Sequence, residues 1–329
     1  MKVIGKSGRD SYICEVSHTE IEKYLNLYYG KMKSVEVGEE IDLGKGYNFS
    51  SDIRDAMKKT SEFIGANKKN HQRDNRRHHD LWDCRGEGIM FRPIYPPRTR
   101  AREYCDLAVN IYDSCPHGCE YCYARAMAKR FGKPWGNVVS PRHGIVEAVR
   151  KQLTGMRGQG QKIMLCFTCD PYPIGVDSSV TREVIQAIKE SGNHVQILTK
   201  GNGDAQRDLD LLDSNDSFGV TLSGDYDEIY EKGAAYEGQR VINITAAHVR
   251  GVPTWVSCEP VINPRAIEDF IVDLDFVGLW RIGKMNHRKS NIDWRQFGID
   301  IEALCKRLGR NYYIKEDLRK AMGENSNGN

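Results

Sequence analysis

The chain has 329 residues, of which 40% are hydrophobic and 28% are charged, and its formal net charge is +3. This length fits one large domain with a smaller appendage, and the hydrophobic share is sufficient for a packed core. No run of about 18 apolar residues is present, and the amino-terminal residues lack the apolar segment of a signal peptide. We therefore expect a cytoplasmic protein without a membrane-spanning segment.

The first third of the chain divides into two segments of different composition. Residues 1–65 predict a small α+β extension, with a strand near residues 11–15 and two short helices. Residues 66–103 predict a basic linker or arm, because residues 66–102 contain ten Lys or Arg and four Asp or Glu. Such a stretch is typical either of a solvated linker or of a surface that binds a phosphate backbone.

The ten cysteines do not indicate a disulfide framework, because no secretory signal accompanies them. Three of them lie close together at Cys115, Cys119 and Cys122. Cys166 and Cys169 form a second close pair. The scattered cysteines are the kind of small apolar residue that is usually buried.

The segment Cys115–Ala124 reads Cys-Pro-His-Gly-Cys-Glu-Tyr-Cys-Tyr-Ala, in which Pro116 and Gly118 oppose a regular helix and allow the loop to curl. Three thiolates at this spacing can converge on one metal centre. A structural zinc site and an ordinary iron–sulfur cluster each take four protein ligands. A cubane cluster held by three cysteines instead leaves one iron open for a small molecule. The alternative is a zinc site completed by His117 or by another cysteine.

From residue 106 onward, apolar strands alternate with amphipathic helices, which predicts a parallel sheet with right-handed crossovers. We predict strands at residues 107–112, 163–168, 194–198, 217–222, 254–257 and 276–282. The intervening helices are predicted near residues 120–130, 144–155, 181–191, 204–213, 237–250 and 265–271. A helix near 294–308 and a short strand at 312–315 follow, and residues 319–329 predict a disordered tail. A doubly wound sheet is the alternative arrangement.

Cys-x3-Cys-x2-Cys followed by an aromatic residue resembles the signature of the radical S-adenosylmethionine (SAM) enzymes. The resemblance implies a [4Fe-4S] cluster held by Cys115, Cys119 and Cys122, with SAM bound at the open iron. It further implies reductive cleavage of SAM to a 5′-deoxyadenosyl radical that abstracts hydrogen from a substrate, and an external electron donor of the flavodoxin or ferredoxin type. The six strands resemble the partial (β/α)6 TIM-type barrel of that family, over residues 104–318.

Chemistry in parallel barrels lies at the carboxyl ends of the strands. The second predicted strand ends in Thr168-Cys169-Asp170-Pro171-Tyr172, which resembles a segment of radical SAM proteins related to spore photoproduct lyase, a DNA repair enzyme. The resemblance places Cys169 and Asp170 beside SAM, with Asp170 accepting from its amino group or ribose. The lyases carry a hydrogen-donating cysteine three residues before this aspartate, where this chain has Phe167. Cys169 would share a strand face with position 167 and donate instead, or it would be half of a buried structural pair.

The resemblance assigns roles to further residues at the strand ends. Tyr121 is similar to the residue that contacts the adenine of SAM, and Tyr123 would face the substrate or pack on the cluster. Lys200 resembles the lysine that binds the SAM carboxylate; a lysine emerging from an apolar strand is costly unless it is paired. Thr221 resembles a hydroxyl residue that binds SAM, with Ser223 as the alternative. Glu259 would hold the SAM ribose, order the substrate or pair with Lys200.

The substrate is a separate inference. The basic residues 66–102 and the resemblance to a repair enzyme favour DNA or RNA, while a peptide or a small metabolite remains the alternative, because one fold hosts many reactions. A hypothesis from another class is a zinc-binding nucleic-acid adaptor without catalysis. That hypothesis gives no reason for Asp170, Lys200 and Glu259 to end successive strands.

Overall fold

The structure, a computed structural model, describes residues 92–136, 138–225, 229–286 and 288–323, together with the backbone of residues 2–6 and 12–15. All of these residues belong to one compact unit. Strand β1 (Lys2–Lys6) pairs antiparallel with β2 (Tyr12–Glu15), which confirms the strand predicted near residues 11–15. The two helices predicted before residue 65 lie outside the described residues.

The remaining strands form one open eight-stranded sheet in which the strand order follows the chain from β3 to β10. The pairs from β4 to β10 are parallel, and the short β3 pairs antiparallel with β4 at one edge. The strands are β3 (Ile94–Tyr95), β4 (Leu107–Val109), β5 (Lys162–Leu165), β6 (His194–Thr199), β7 (Ser217–Thr221), β8 (Thr254–Cys258), β9 (Leu279–Ile282) and β10 (Tyr312–Ile314). The sequential parallel order confirms the predicted partial barrel over a doubly wound sheet, whose strand order would reverse.

Seven α-helices are described, and six of them follow a parallel strand. They are α1 (Tyr123–Arg130), α2 (Ile145–Thr154), α3 (Ser179–Glu190), α4 (Glu237–Val249), α5 (Pro264–Asp273), α6 (Trp294–Leu308) and α7 (Glu316–Met322). The helix predicted near residues 204–213 is instead a 3-10 helix, Gly203–Leu211, whose first turn is capped by the Asn202 side chain. A second 3-10 helix, Thr99–Glu103, precedes β4.

The core lies on both faces of the sheet. On the helix side, apolar residues of α2 and α3 such as Val149, Val184 and Ile188 are fully buried. Another cluster joins Ala108, Met164 and Trp255 from β4, β5 and β8. Gly219 on β7 is needed there, because a Cβ atom at this position would lie 2.4 Å from the Trp255 ring. Close packing leaves no room for it.

Two predicted boundaries are wrong. Residues 93–103 are not part of a linker, since they contain β3 and a 3-10 helix and since Ile94 is buried. The disordered tail does not begin at residue 319, because α7 runs to Met322 and buries Leu318 and Met322. Both errors arose because polar and turn-forming residues outnumber the apolar ones in these stretches, while the few apolar side chains decide their packing. In the described part of the chain, no helix combines the length and apolar character needed to span a bilayer.

Candidate active site

The cysteine loop follows β4 and leads directly into α1, so it lies at the carboxyl edge of the parallel sheet. Cys119 is buried, and Cys115 and Cys122 are half-buried. The loop is held by the segment 230–233: the Glu120 N–H donates to the Tyr230 carbonyl at 2.8 Å, and the Gly233 N–H donates to the His117 carbonyl at 3.0 Å. The position of the sulfurs therefore depends on a distant segment as well as on local sequence.

His117, in the middle of this loop, is a buried structural residue. Its Nε2 accepts from the Ile174 N–H at 3.1 Å, and its Nδ1 lies 3.6 Å from Asp170 Oδ2. Burial lowers the pKa of His117 to about 4, although the Asp170 carboxylate raises it. A neutral imidazole whose Nε2 already accepts a hydrogen bond is a poor metal ligand, which counts against the zinc site completed by His117.

Among the described residues, His194, Asp213 and Asp216 form another group of possible metal ligands, whose ligand atoms lie within 4.8 Å of one another. The group at His194 is not a competing metal centre. His194 begins β6, so the group lies at the opposite edge of the sheet from the cysteine loop. The Lys189 ammonium already lies 2.6 Å from Asp213 and 2.5 Å from Asp216. A resident ammonium neutralises the carboxylates that a cation would need.

Burial disfavours the thiolate form of two of the three cysteines, Cys115 and Cys119. Burial raises the pKa of Cys119 to about 11, while the nearby Lys200 lowers it. Burial and the Asp170 carboxylate raise the pKa of Cys115 further. Metal binding at these residues must therefore release protons.

Asp170, predicted to contact SAM, is engaged with the chain through both of its oxygens. Oδ1 accepts from the Tyr172 N–H at 2.8 Å and the Thr199 hydroxyl at 2.6 Å, and Oδ2 accepts from the Lys200 N–H at 2.7 Å. Asp170 thereby joins the loop after β5 to the end of β6 and, through His117, to the cysteine loop. Its predicted contact with SAM stays a prediction.

Lys200 lies at the end of β6 beside a buried carboxylate that the sequence did not single out. Its ammonium is 3.8 Å from Glu231 Oε1 and 5.3 Å from the centre of the Tyr121 ring. The Tyr121 hydroxyl donates to the same Glu231 oxygen. A separation of 3.8 Å is too long for a hydrogen bond, so the ammonium protons of Lys200 are not committed to Glu231.

The other oxygen of Glu231 pairs with Arg240 of α4 at 2.5 Å, and both side chains are buried. Arg240 also donates to the carbonyls of Ala235 at 2.8 Å and Thr221 at 3.0 Å. Burial raises the pKa of Glu231 to about 7, although Arg240 lowers it. Tyr121, Lys200, Glu231 and Arg240 therefore form one buried network, which we call the Glu231 network.

Thr221 and Ser223 both lie at the end of β7, as predicted, and both are buried. Ser223 is engaged: its N–H lies 2.5 Å and its hydroxyl 3.3 Å from Glu237 Oε1. Thr221 contributes its carbonyl to Arg240. The structure thus ties Ser223 to α4, which leaves Thr221 as the better candidate of the two for a bound ligand.

Glu259, at the end of β8, does not pair with Lys200. It accepts from the Lys315 ammonium at 2.6 Å and from the Tyr104 hydroxyl at 2.7 Å. Lys315 is buried and also lies 4.0 Å from the centre of the Tyr104 ring. The predicted pairing with Lys200 is therefore wrong, because Glu231 lies nearer to Lys200 and the end of β10 brings Lys315 to Glu259.

Cys166 and Cys169 form the predicted close pair, and the nearby Cys169 thiol adds to burial in raising the pKa of Cys166. Strand β5 ends at Leu165, so the expected alternation of residues 167 and 169 on one strand face does not apply. Cys166 has a positive φ of 66° and turns the chain out of the strand. Tyr123 reaches the same loop, because its hydroxyl donates to the Phe167 carbonyl at 2.7 Å.

A cavity of about 650 Å³ opens beside the cysteine loop. Its wall includes Tyr121, Cys122 and Ala126, and Arg288 and Lys289 contribute positive charge. Arg288 pairs with Glu120 of the loop at 2.5 Å. The cavity therefore gives solvent access to one ligand cysteine at a positively charged rim.

The residues that sequence analysis missed are Glu231, Arg240 and Tyr104. Glu231 lies in an irregular segment between strands, and Tyr104 precedes the first predicted strand. Arg240 lies on a helix whose sequence pattern is that of a surface helix. No periodicity or spacing marks them. Only a buried ionic pattern would have found them, and burial is a property of the folded chain.

Comparisons with known proteins agree with this architecture. The family described as "Protein of unknown function (DUF5131)" matches residues 100–321, about two thirds of the chain. The protein MJ0683 of Methanocaldococcus jannaschii is 26% identical over 190 residues, which are 55% of this chain and 69% of that protein. ORF301 of Acidianus two-tailed virus is 24% identical over 241 residues, covering 66% of this chain and 76% of that protein.

Solved structures show the fold. Spore photoproduct lyase complexed with dinucleoside spore photoproduct superposes with a TM-score of 0.51 at 13% identity, over 67% of this chain and 79% of the lyase. SuiB of Streptococcus suis bound to S-adenosylmethionine superposes with a TM-score of 0.50 at 9% identity, over 67% of this chain and 53% of SuiB. The predicted radical SAM fold of the spore photoproduct lyase type is thereby confirmed. With the family match covering most of this sheet and the cysteine loop, the chain belongs to the DUF5131 family.

Proposed function

We propose that this protein is a radical SAM enzyme. The observation that supports this most directly is the loop of three thiols, Cys115, Cys119 and Cys122, at the carboxyl edge of a sheet with the fold of spore photoproduct lyase. No fourth ligand is supplied from within the loop, because His117 is engaged with Ile174 and Asp170. The donor set therefore fits a [4Fe-4S] cluster with one iron left for SAM, better than it fits a closed zinc site.

Each residue of the site has a physical role in this proposal. The three thiolates would hold the cluster, which when reduced supplies the electron that cleaves SAM to methionine and a 5′-deoxyadenosyl radical. Lys200 offers uncommitted ammonium protons for the SAM carboxylate, and Tyr121 offers a ring beside it. Asp170 accepts from the Lys200 N–H, and Glu231 contacts both Lys200 and Tyr121, so the two carboxylates position these two residues. Thr221 and Glu259, at the ends of β7 and β8, are further binding candidates.

Hydrogen-atom transfer at Cys169 is part of the proposal. Cys169 lies close to Cys166, and Tyr123 is anchored to the loop between them. A thiol beside a tyrosine is suited to return hydrogen to a carbon radical. Cys169→Ala should leave release of 5′-deoxyadenosine intact while changing the fate of the substrate.

The test of the proposed function is anaerobic reconstitution followed by reduction. Wild-type protein should bind about four irons per chain and, with dithionite and SAM, release 5′-deoxyadenosine. The single variants Cys115→Ala, Cys119→Ala and Cys122→Ala should lose both properties, whereas Cys305→Ala, a buried cysteine on α6, should keep them. Zinc without iron in anaerobically purified wild-type protein would support the zinc-binding adaptor instead.

We further propose a nucleic acid as the substrate class. The support is the surplus of positive charge in residues 66–102, together with the likeness in fold to a lyase solved with a dinucleoside. Most of these basic residues lie outside the described residues; Arg100, which is described, pairs with Asp317 at 2.7 Å. If the substrate is instead a peptide or a small metabolite, the protein should not bind nucleic acid. The salt dependence of binding therefore decides between these substrate classes.

A further inference from the structure

Helix α1, which begins immediately after Cys122, has an unusual distribution of side chains. Its buried residues are the small Ala124 and Ala128, whereas Met127 and Phe131 are 45% and 67% exposed. An ordinary surface helix buries its large apolar residues and exposes its polar ones. The protein therefore presents an apolar face next to the cysteine loop, formed by Met127 and Phe131, which lie one turn apart on the same side of the helix and which we call the α1 face.

Positive charge surrounds this apolar face. Residues 121–140 contain four Lys or Arg and no Asp or Glu. Arg125, Lys129 and Arg130 are exposed on α1 itself. Lys289 extends the charge along the cavity wall that also contains Ala126, where Arg288 is paired with Glu120. An apolar centre containing Met and an aromatic residue, with a charged rim, is the composition of a protein–protein interface.

The α1 face is also close to the proposed cluster. An α-helix rises about 1.5 Å per residue, so Met127 and Phe131 lie about 6 Å and 12 Å along the axis from Tyr123. Tyr123 is the residue next to Cys122, which is half-buried and borders the open cavity. A partner seated on this face would therefore bring a redox group close to the cluster ligands.

We propose that the α1 face docks a small acidic electron-transfer protein of the flavodoxin or ferredoxin type. This inference rests on the proposed function, in which each reductive cleavage of SAM consumes one electron. The docked donor would lose one electron and be oxidised by one, and the site held by Cys115, Cys119 and Cys122 would gain that electron. Charge complementarity selects an acidic partner, and the apolar centre favours a folded protein over a nucleic acid.

The experiment uses an acidic flavodoxin as the probe and two independent variants. In the M127E/F131E variant the apolar centre becomes acidic, and in K129E/R130E the basic rim is reversed. Val272→Glu on α5 is the matched control, because Val272 is 48% exposed, close to the exposure of Met127. Binding of oxidised flavodoxin is measured by titration calorimetry, and release of 5′-deoxyadenosine is measured separately with reduced flavodoxin and with dithionite.

Both variants should weaken flavodoxin binding at least tenfold and slow the flavodoxin-driven reaction, while the dithionite-driven reaction stays within about twofold of wild type. Raising the NaCl concentration should weaken wild-type binding, because charged pairs are screened. Val272→Glu should behave as wild type in every measurement.

Unchanged flavodoxin binding in both variants would overturn the docking surface. So would a concentration-dependent dimer that the variants dissociate, a large fall in thermal stability that shows the face to be covered by the chain itself, or loss of nucleic-acid binding with flavodoxin binding intact. Absence of 5′-deoxyadenosine from wild type with dithionite would instead overturn the proposed function, since flavodoxin binding is measured independently of it.

Discussion

At the scale of single residues, the site is defined by charges that are buried and shared. Glu231 accepts from Tyr121, pairs with Arg240 and faces Lys200, so one carboxylate connects the cysteine loop, β6 and α4. An isolated buried charge is costly, but it is tolerated when an opposite charge and hydrogen-bond partners surround it in good geometry. The Glu231 network therefore fixes the orientation of Tyr121 and leaves Lys200 available for a ligand.

The titration of Glu231 gives a stability prediction with a definite sign. Burial raises its pKa from 4.5 to about 7, so between these values the folded chain holds a proton that the unfolded chain has released. The free energy of unfolding must then fall as the pH rises through this window. Glu231→Gln has no carboxyl group to titrate at this position, so its free energy of unfolding lacks this dependence on pH. Its stability relative to wild type should rise by up to about 3 kcal/mol between pH 5 and pH 8, since one pKa unit corresponds to about 1.4 kcal/mol.

Urea unfolding of the apo protein across this pH range checks the prediction. Glu190→Gln serves as the control, because Glu190 belongs to an exposed pair with Arg150. Parallel stability curves for wild type and Glu231→Gln would show that the carboxylate is already ionised at pH 5.

Removing the cation of the network should be more damaging than removing an exposed one. Arg240→Met leaves Glu231 and Glu237 without their buried partner and frees the carbonyls of Ala235 and Thr221. Loss of one partner of a buried pair costs about 3–5 kcal/mol. Arg150→Met, at a surface pair, should cost less than about 1 kcal/mol. Urea unfolding measures the loss of stability in each variant. Equal losses would contradict the view that burial makes the Arg240–Glu231 pair more important than the exposed pair.

At the scale of elements, the cysteine loop is shaped by its packing against the segment 230–233. A Cβ atom on Gly233 would lie 2.9 Å from the carbonyl oxygens of both Pro116 and His117. Side-chain atoms are not tolerated at such a distance from backbone, so one of the two segments would have to move. The residue at position 233 therefore controls the geometry of the three sulfurs from a distance of more than a hundred residues in sequence.

Gly233→Ala should displace the cysteine loop. We expect a loss of stability of about 1–3 kcal/mol, the usual cost of overpacking, and fewer irons per chain after reconstitution. Gly155→Ala is the control, because an added Cβ would lie 3.7 Å from the Gln152 carbonyl oxygen, an ordinary contact, and because its φ is −81°. Iron content and urea midpoints of both variants give the comparison. Full iron loading in Gly233→Ala would show that the loop adapts without this contact.

At the scale of the whole molecule, an open sheet places seven parallel strand ends at one edge, where the cysteine loop, Lys200, Thr221, Glu259 and Lys315 meet. The strand order follows the chain, so residues far apart in sequence arrive at neighbouring strand ends. The last strand, β10, contributes the Lys315 ammonium that orients Glu259.

The proposed nucleic-acid substrate can be tested by the dependence of binding on salt. The logarithm of the binding constant should fall with the logarithm of salt concentration, by about 0.9 for each phosphate contacted on duplex DNA. Lys68→Ala combined with Lys69→Ala should make this slope shallower. The control is Lys306→Ala combined with Lys320→Ala, which removes two exposed lysines of α6 and α7. Binding insensitive to salt, or no binding, would favour a peptide or metabolite.

The sequence alone predicted the fold class, which the structure bears out, and it supplied the proposed metal ligands. Hydrophobic periodicity is local, so it placed the parallel strands and most helices within a few residues, and the spacing of Cys115, Cys119 and Cys122 within one loop identified a three-thiol centre. Cys169, Asp170, Lys200, Thr221 and Glu259 were found because strand ends share an edge.

Only the tertiary structure decided how these residues are paired. It joined Lys200 to Glu231 rather than Glu259, brought Lys315 from the tail to Glu259, and engaged His117 with Ile174 and Asp170. Each of these contacts links residues at least 31 positions apart in the chain. Burial and charge pairing depend on long-range packing. Neither produces a periodic pattern in the sequence from which it could be predicted.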